Sequence, residues 1–224
     1  MFEGIRRLQG KGFYPDRILD IGAHHGNWTC EIKRLYPDCE YHLFEAIDYP
    51  ELKRFDNDSR VKVHNIVLND KVEDVTWYQK KNTGDSFFKE KTYHFADCEV
   101  ITRKTIDMDT YITNNNILQN AKNIFIKIDC QGAEIPILKG ATSILSVTDF
   151  IILEMPLFGS YNEGVPNFLE HVAFMDKIGF VPYDMFDNHY INGFNLQIDM
   201  IFINKNHEFN KTVNSLLMIQ PHLQ

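Results

Sequence analysis

The sequence predicts an α/β protein: a mostly parallel central sheet with an antiparallel terminal strand and helices on both faces. Three observations carry this. Short apolar runs alternate with helical stretches over residues 18–204, the order that builds a parallel sheet covered on both sides. The runs at 18–21, 124–128 and 150–153 are almost wholly apolar rather than alternating, as strands buried on both faces must be. Several strands also end in glycine or a polar residue, at Gly22, Glu45, Asn65, Asp129 and Glu154, and ligands of such sheets sit beyond the carboxyl ends of the strands.

Taken in order, residues 18–22 form a strand that ends in a glycine turn. Residues 27–35 follow as a helix with Trp28, Ile32 and Leu35 on one face, stopped by Pro37. Residues 41–46 and 61–68 are the second and third strands. Residues 75–79 and 99–103 add strands to a polar insertion that spans 69–108. A helix at 110–120 leads to a β-branched strand at 124–128, a helix at 133–139 and a buried strand at 150–154. The helix at 168–178 is closed by Gly179. Strands at 180–186 and 198–204 form an antiparallel closing pair, joined by a polar loop at 187–193. No repeat or linker interrupts the pattern, so residues 1–224 read as a single domain with an N-terminal extension at 1–16.

Composition narrows the partners. The formal charge is −8 and no Lys/Arg block stands out, which argues against nucleic acid, whose backbone needs a basic stripe. Cys30, Cys39, Cys98 and Cys130 form no CxxC pair and read as reduced thiols. The first residues contain no apolar targeting core, and no run approaches the ~18 apolar residues of a membrane span. A cytoplasmic location, with no membrane partner, is the expectation.

The chemistry concentrates at the first turn, Asp20-Ile21-Gly22-Ala23-His24-His25-Gly26-Asn27-Trp28. Gly22 and Gly26 let the backbone turn sharply and approach a ligand, and the helix that follows points free N–H groups at it. Glu45 ends the second strand at the distance where an acidic residue grips a ribose diol. His24 occupies the position where a nicotinamide fingerprint needs its second glycine. An aspartate two residues before the first glycine suits a ligand with an ammonium group. S-adenosylmethionine, which has an amine, a sulfonium and a ribose but no phosphate, fits this set. His24 and His25 are adjacent, so their side chains are expected to diverge.

These residues, together with Leu43-Phe44-Glu45-Ala46, Gly84-Asp85-Ser86, Thr105-Ile106-Asp107, the block Phe125-Ile126-Lys127-Ile128-Asp129-Cys130-Gln131-Gly132-Ala133-Glu134, and Leu138-Lys139-Gly140-Ala141, resemble the FkbM-type methyltransferases. The likeness runs over about residues 18–204, and the Lys-Ile-Asp…Gly-Ala-Glu…Leu-Lys-Gly block is its most specific part. Gln131 departs from the glutamate common there. The resemblance implies a Rossmann-like class I methyltransferase fold and O-methylation of a small hydroxylated acceptor, most simply a sugar or sugar nucleotide. It implies that Asp20 and Gly22 lie near the methionine end of the cofactor, that Ala23, His24, Gly26, Asn27 and Trp28 line its turn, and that Glu45 holds the ribose. Asn65 would border the adenine, with Ile66 and Val67 as apolar lining. Ser86 would contact the cofactor or order the site.

A sugar hydroxyl needs a general base as it attacks. Asp129 is the first candidate and also borders the cofactor; Glu154 is the second; His189, in the polar loop, is a third. Lys127 alternates with Asp129 and can keep a carboxylate ionised. Glu134 reads equally as a catalytic group and as a charge on a helix N-terminus. Asp129 and Glu154 could instead share a Mg²⁺, although the cofactor alone is favoured; the histidines and cysteines lack zinc spacing. Residues 155–166 would build the acceptor side. A homodimer is a weak expectation. The competing functions are a macromolecular acceptor and a degenerate nucleotide-binding domain without catalysis.

Overall fold

The structure is a computed structural model and describes residues 1–219. In chain order it contains α1 (Phe2–Gly10), β1 (Arg17–Ile21), α2 (Asn27–Leu35), β2 (Glu40–Glu45), β3 (Val61–Asn65), β4 (Val67–Asn69), β5 (Asp74–Gln79) and β6 (Glu99–Asp107). Then follow α3 (Met108–Asn114), β7 (Ile124–Ile128), α4 (Glu134–Lys139), α5 (Thr142–Leu145), β8 (Phe150–Pro156), α6 (Phe168–Lys177), β9 (Phe180–Ile191), β10 (Phe194–Asn204) and α7 (Glu208–Ile219). A 3-10 turn, Pro50–Phe55, lies between β2 and β3.

The main sheet has the strand order β3-β2-β1-β7-β8-β10-β9. Its pairings are parallel except those of β10, which runs antiparallel to β8 and to β9. Successive residues of each central strand feed two cores. Ile18, Phe125, Phe150 and Ile152 pack toward α1 and α2 with Ile5, Leu8 and Ile32. Leu19, Ile126, Ile151 and Leu153 pack on the opposite face with Met108, Ile137 and Met175. Both faces are therefore dry, which explains why β1, β7 and β8 are buried along their whole length. The chain reverses order at β1, where one connection leads to β2 and a later one returns to β7, and this opens a crevice at the carboxyl ends of those strands.

Several expectations need correction. Residues 61–68 are two strands: Ile66 turns its N–H to the Glu45 carbonyl, and the chain leaves the main sheet for a second one, ordered β4-β6-β5. The helix expected at 110–120 is the shorter α3, which starts on Asp107 as its cap, where the Thr110 N–H donates to the carboxylate at 2.8 Å. Residues 187–191 are not loop but the outer half of a long hairpin that turns at Asn192-Gly193. The N-terminal extension carries α1, whose Ile5 and Leu8 are wholly buried. Among the described residues no helix is long and apolar enough to cross a membrane.

Candidate active site

The β1–α2 turn is held by its surroundings. Gly22 adopts φ +77°, and a Cβ on it would lie 1.9 Å from the Asp129 carbonyl oxygen, so the end of β1 passes against the end of β7 with no room for a side chain. Its N–H donates to the Phe44 carbonyl at 2.9 Å. Gly26 is also left-handed and packs beneath Phe55 of the 3-10 turn rather than toward the crevice. Glu45 ties the turn to β2: Oε2 accepts the His24 N–H at 2.7 Å and Oε1 the Ile47 N–H at 2.9 Å. His24 is left-handed (φ 48°), an uncommon conformation for a side-chain-bearing residue. The His24 and His25 rings stack at 3.7 Å instead of diverging, and both meet the Tyr49 ring edge-on. Burial, then the neighbouring His25, keeps His24 below the usual histidine range.

Two openings meet at this turn. The first is a cavity of about 480 Å³, within the ~300–1,000 Å³ of small-ligand sites. One end is apolar, built by Ile66, Val67, Leu68, Ala133 and Ile137; the middle carries Glu45; the other end carries Asp129, Glu154 and His189. The second is a shallower depression walled by Trp28, Asn27, His25, Lys127, Asn188 and Asp199. Gly22, His24, Thr83, Asp129, Glu154 and His189 border both.

Charge in the shared wall follows strand register. Lys127 lies beside Asp20 across the β1–β7 pairing. Its ammonium, buried at 4 % exposure, is 3.5 Å from Asp20 Oδ1 and 3.3 Å from Asp129 Oδ2. Burial opposes its charge, but Asp129 and then Asp20 hold it protonated. Burial opposes ionisation of Asp129 as well, yet Lys127 outweighs it and keeps that carboxyl below the usual range. Glu154 goes the other way: burial first and then the Asp129 charge push it well above the usual range. Two neighbouring carboxyls thus have opposed protonation preferences, the arrangement that separates a base from an acid. Gln131, left-handed at φ 52°, bridges them, its amide donating to Asp129 Oδ1 at 3.2 Å and to Glu154 Oε2 at 2.8 Å. A glutamate at this position would add a third carboxylate with no proton to give.

Some expected residues stand elsewhere. Asp20 does not line the cavity: it is fully buried beneath the turn, accepts the Thr29 hydroxyl at 2.6 Å, and burial raises it above the usual carboxylate range. Asn65 faces a separate groove with Thr102 and Arg103, and its amide donates to the Glu45 carbonyl at 3.0 Å. Ser86 is buried behind the cavity wall, where it accepts the Phe88 N–H at 3.1 Å and donates to the Cys130 carbonyl at 3.4 Å. Ala23, Asn27 and Trp28 border the second depression, and Asn27 accepts from Arg54 at 3.2 Å. Glu134 lines neither opening: its buried carboxylate accepts the Cys130 and Gly132 N–H groups at 2.9 and 3.3 Å. The Asp129–Glu154 pair does not suit a shared Mg²⁺, because Gln131 and Lys127 already occupy the oxygens facing between them. Sequence reasoning missed Asp199, although an acid inside Ile198-Asp199-Met200-Ile201-Phe202 is a readable signal. It also missed Gln197 and Thr83, which carry none; of the segment 155–166 expected on the acceptor side, Tyr161 lines the first opening and no residue lines the second.

This sheet order, with its single antiparallel strand and a crevice at the β1 switch point, defines the Rossmann-like methyltransferase architecture. The same architecture is found in a methyltransferase FkbM from Methylobacillus flagellatus KT (15 % identity, TM-score 0.52, covering 83 % of this chain and 43 % of that one). It recurs in the 1,6-didemethyltoxoflavin-N1-methyltransferase of Burkholderia thailandensis, solved with 1,6-didemethyltoxoflavin and S-adenosylhomocysteine (10 % identity, TM-score 0.50, covering 88 % and 74 %). The chain therefore spans less than half of the first of these relatives. The methyltransferase FkbM domain model matches residues 20–182, and the chain belongs to that family. No curated protein sequence gives a significant match.

Proposed function

We propose that the chain transfers a methyl group from S-adenosylmethionine to a hydroxyl of a small uncharged acceptor, most simply a sugar. The observation that carries this is the charge of the first cavity. Glu45, Asp85, Glu90, Asp129 and Glu154 line it, and no lysine or arginine does. A dinucleotide, with its pyrophosphate, would find no counter-charge there, whereas a sulfonium and an ammonium would. The cavity fits such a ligand along its length. The apolar wall of Ile66, Val67 and Leu68 takes a purine, Glu45 keeps lone pairs for a ribose diol beyond the two N–H groups it accepts, and the Asp129 end receives the cationic methionine portion.

The cofactor supplies an electrophilic methyl group, so the chain's own tasks are alignment, exclusion of water and removal of one proton. Asp129, held ionised by Lys127 and a third exposed in the wall between the openings, is the group to accept the hydroxyl proton. Its ionisation favours an oxygen nucleophile over an amine, which attacks without a base. The acceptor would lie in the second depression, where Asn27, Asn188, Asp187 and Asp199 beside Trp28 suit a neutral polyol. The test is calorimetric titration with S-adenosylmethionine and S-adenosylhomocysteine. Saturable binding weakened at least tenfold in Glu45→Gln is expected. Folded wild-type protein that binds neither ligand would overturn the reading and favour a degenerate domain.

A further inference from the structure

Glu154 and Asp199 sit directly opposite each other in the antiparallel β8–β10 pairing. Two carboxyls at such a position can both be ionised only with a cation between them. Both are largely buried, at 9 % and 4 % exposure. Lys127 does not serve this pair, since its ammonium is engaged by Asp20 and Asp129. Gln131 and Gln197 both donate to Oε2 of Glu154, at 2.8 and 3.2 Å. Among the described residues no donor reaches hydrogen-bonding distance of the Asp199 carboxylate. The nearest positive group is His189, whose Nε2 lies 3.9 Å from Oδ2. Asp199 is thus a largely buried carboxylate whose oxygens face an open depression and find no protein donor within hydrogen-bonding distance among the described residues. His189 reaches the spot because β9 is paired with β10 out to the hairpin end, with an irregularity in register between Asn195 and Gln197.

We propose that Glu154, His189 and Asp199 form a binding site for one divalent ion of the Mn²⁺/Zn²⁺ class. One donor atom from each lies within 4.8 Å of the others. Two carboxylates and an imidazole suit ions of intermediate hardness better than Mg²⁺ or Ca²⁺, which prefer oxygen alone. Three protein donors on an open wall leave positions free, the pattern of metal sites that meet substrate rather than structural ones. The site differs from an Asp129–Glu154 pair in its donors: Asp129 keeps Lys127, and His189 and Asp199 come from the β9–β10 hairpin. Its place beside both openings means that the acceptor hydroxyl would approach within the ion's field, where it becomes more acidic. That consequence rests on the methyl-transfer reading; the binding site itself does not.

The experiment uses the whole, untagged chain stripped with chelator and contains no cofactor. Calorimetric titration and thermal unfolding with MnCl₂, ZnCl₂ and MgCl₂ are compared for wild type, Asp199→Asn, His189→Ala and the surface control Asp97→Asn. We expect one equivalent of Mn²⁺ or Zn²⁺ to bind and raise Tm in the wild type and Asp97→Asn, with Mg²⁺ at least tenfold weaker. Asp199→Asn should lose at least tenfold in metal affinity, and His189→Ala should lose affinity too. Absence of binding by any of the ions, or affinity unchanged in both variants, overturns the proposal. S-adenosylhomocysteine binding is measured separately. Its failure with metal binding intact condemns only the methyl-transfer reading, and the reverse result condemns only the metal site.

Discussion

Replacing Gly22 with alanine would set a methyl group against the Asp129 carbonyl while keeping a left-handed backbone. The clash and the strain together should cost at least about 3 kcal/mol, read as a shift in urea midpoint. Asp129→Asn keeps the shape of the wall but removes the proton acceptor. S-adenosylhomocysteine binding should persist while methyl transfer falls by about 10²–10⁴. Glu134 offers a pH test of a different kind. Burial lifts its carboxyl to about 7, against the ordinary 4.5. The folded state therefore holds a proton that the unfolded chain releases between those values, so this group lowers stability as pH rises from 4.5 to 7. Glu134→Gln keeps an acceptor for the Cys130 and Gly132 N–H groups and should flatten that decline in urea melts recorded across the window. At this scale the placement of the candidate site was legible: Gly22, Glu45, Lys127 and Asp129, singled out at or beside strand ends, border one or both openings. Asp20 was misplaced because a strand residue two positions before a turn can face either the ligand or the following helix, and only the Asp20–Lys127 pairing decides that it faces α2.

Among the elements, β1, α2 and β7 could be read because uniform burial and a stopping proline leave strong marks. Residues 61–68 read as one strand because the departure into a second sheet at Ile66 changes no apolar periodicity. The outer half of β9 was taken for loop because its residues are exposed on both faces, so no alternation marks them; pairing with β10 alone makes them strand. Helix α1 was invisible as core because its single stripe, Ile5 and Leu8, is short. Leu8→Ala should nevertheless cost about 2–5 kcal/mol, measured by chemical unfolding, since Leu8 is wholly buried. Strands β2 and β3 are stitched to α3 by a chain of rings. His42 Nδ1 and His64 Nε2 lie 2.9 Å apart, and His64 Nδ1 is 3.1 Å from the Tyr111 hydroxyl. Burial holds both imidazoles neutral to about pH 4, so the unfolded chain takes up protons first. These rings should thus lower stability as pH falls from 6.5 toward 4, opposing the Glu134 slope. Nitrogen NMR at pH 6 should find both rings uncharged.

For the whole molecule, the architecture divides labour between the two ends of the sheet. Parallel strands supply a rigid floor, and the hairpin of β9 and β10 carries His189 and Asp199 over it from the far edge. A ligand that bridges β1, β2 and β7 should stabilise the chain as a unit, raising Tm with S-adenosylhomocysteine concentration by the amount its affinity dictates.

The two openings share a wall of six residues, yet each has lining of its own: Tyr161 and Asp85 in the first, Trp28 and Asn188 in the second. A donor seated in the first and an acceptor in the second need not cross each other's seat. Turnover should accordingly follow a random sequence rather than an obligatory one. Initial-rate lines should intersect, and a non-reactive acceptor analogue should inhibit competitively against the acceptor and noncompetitively against the methyl donor, where an order with the donor first would make it uncompetitive.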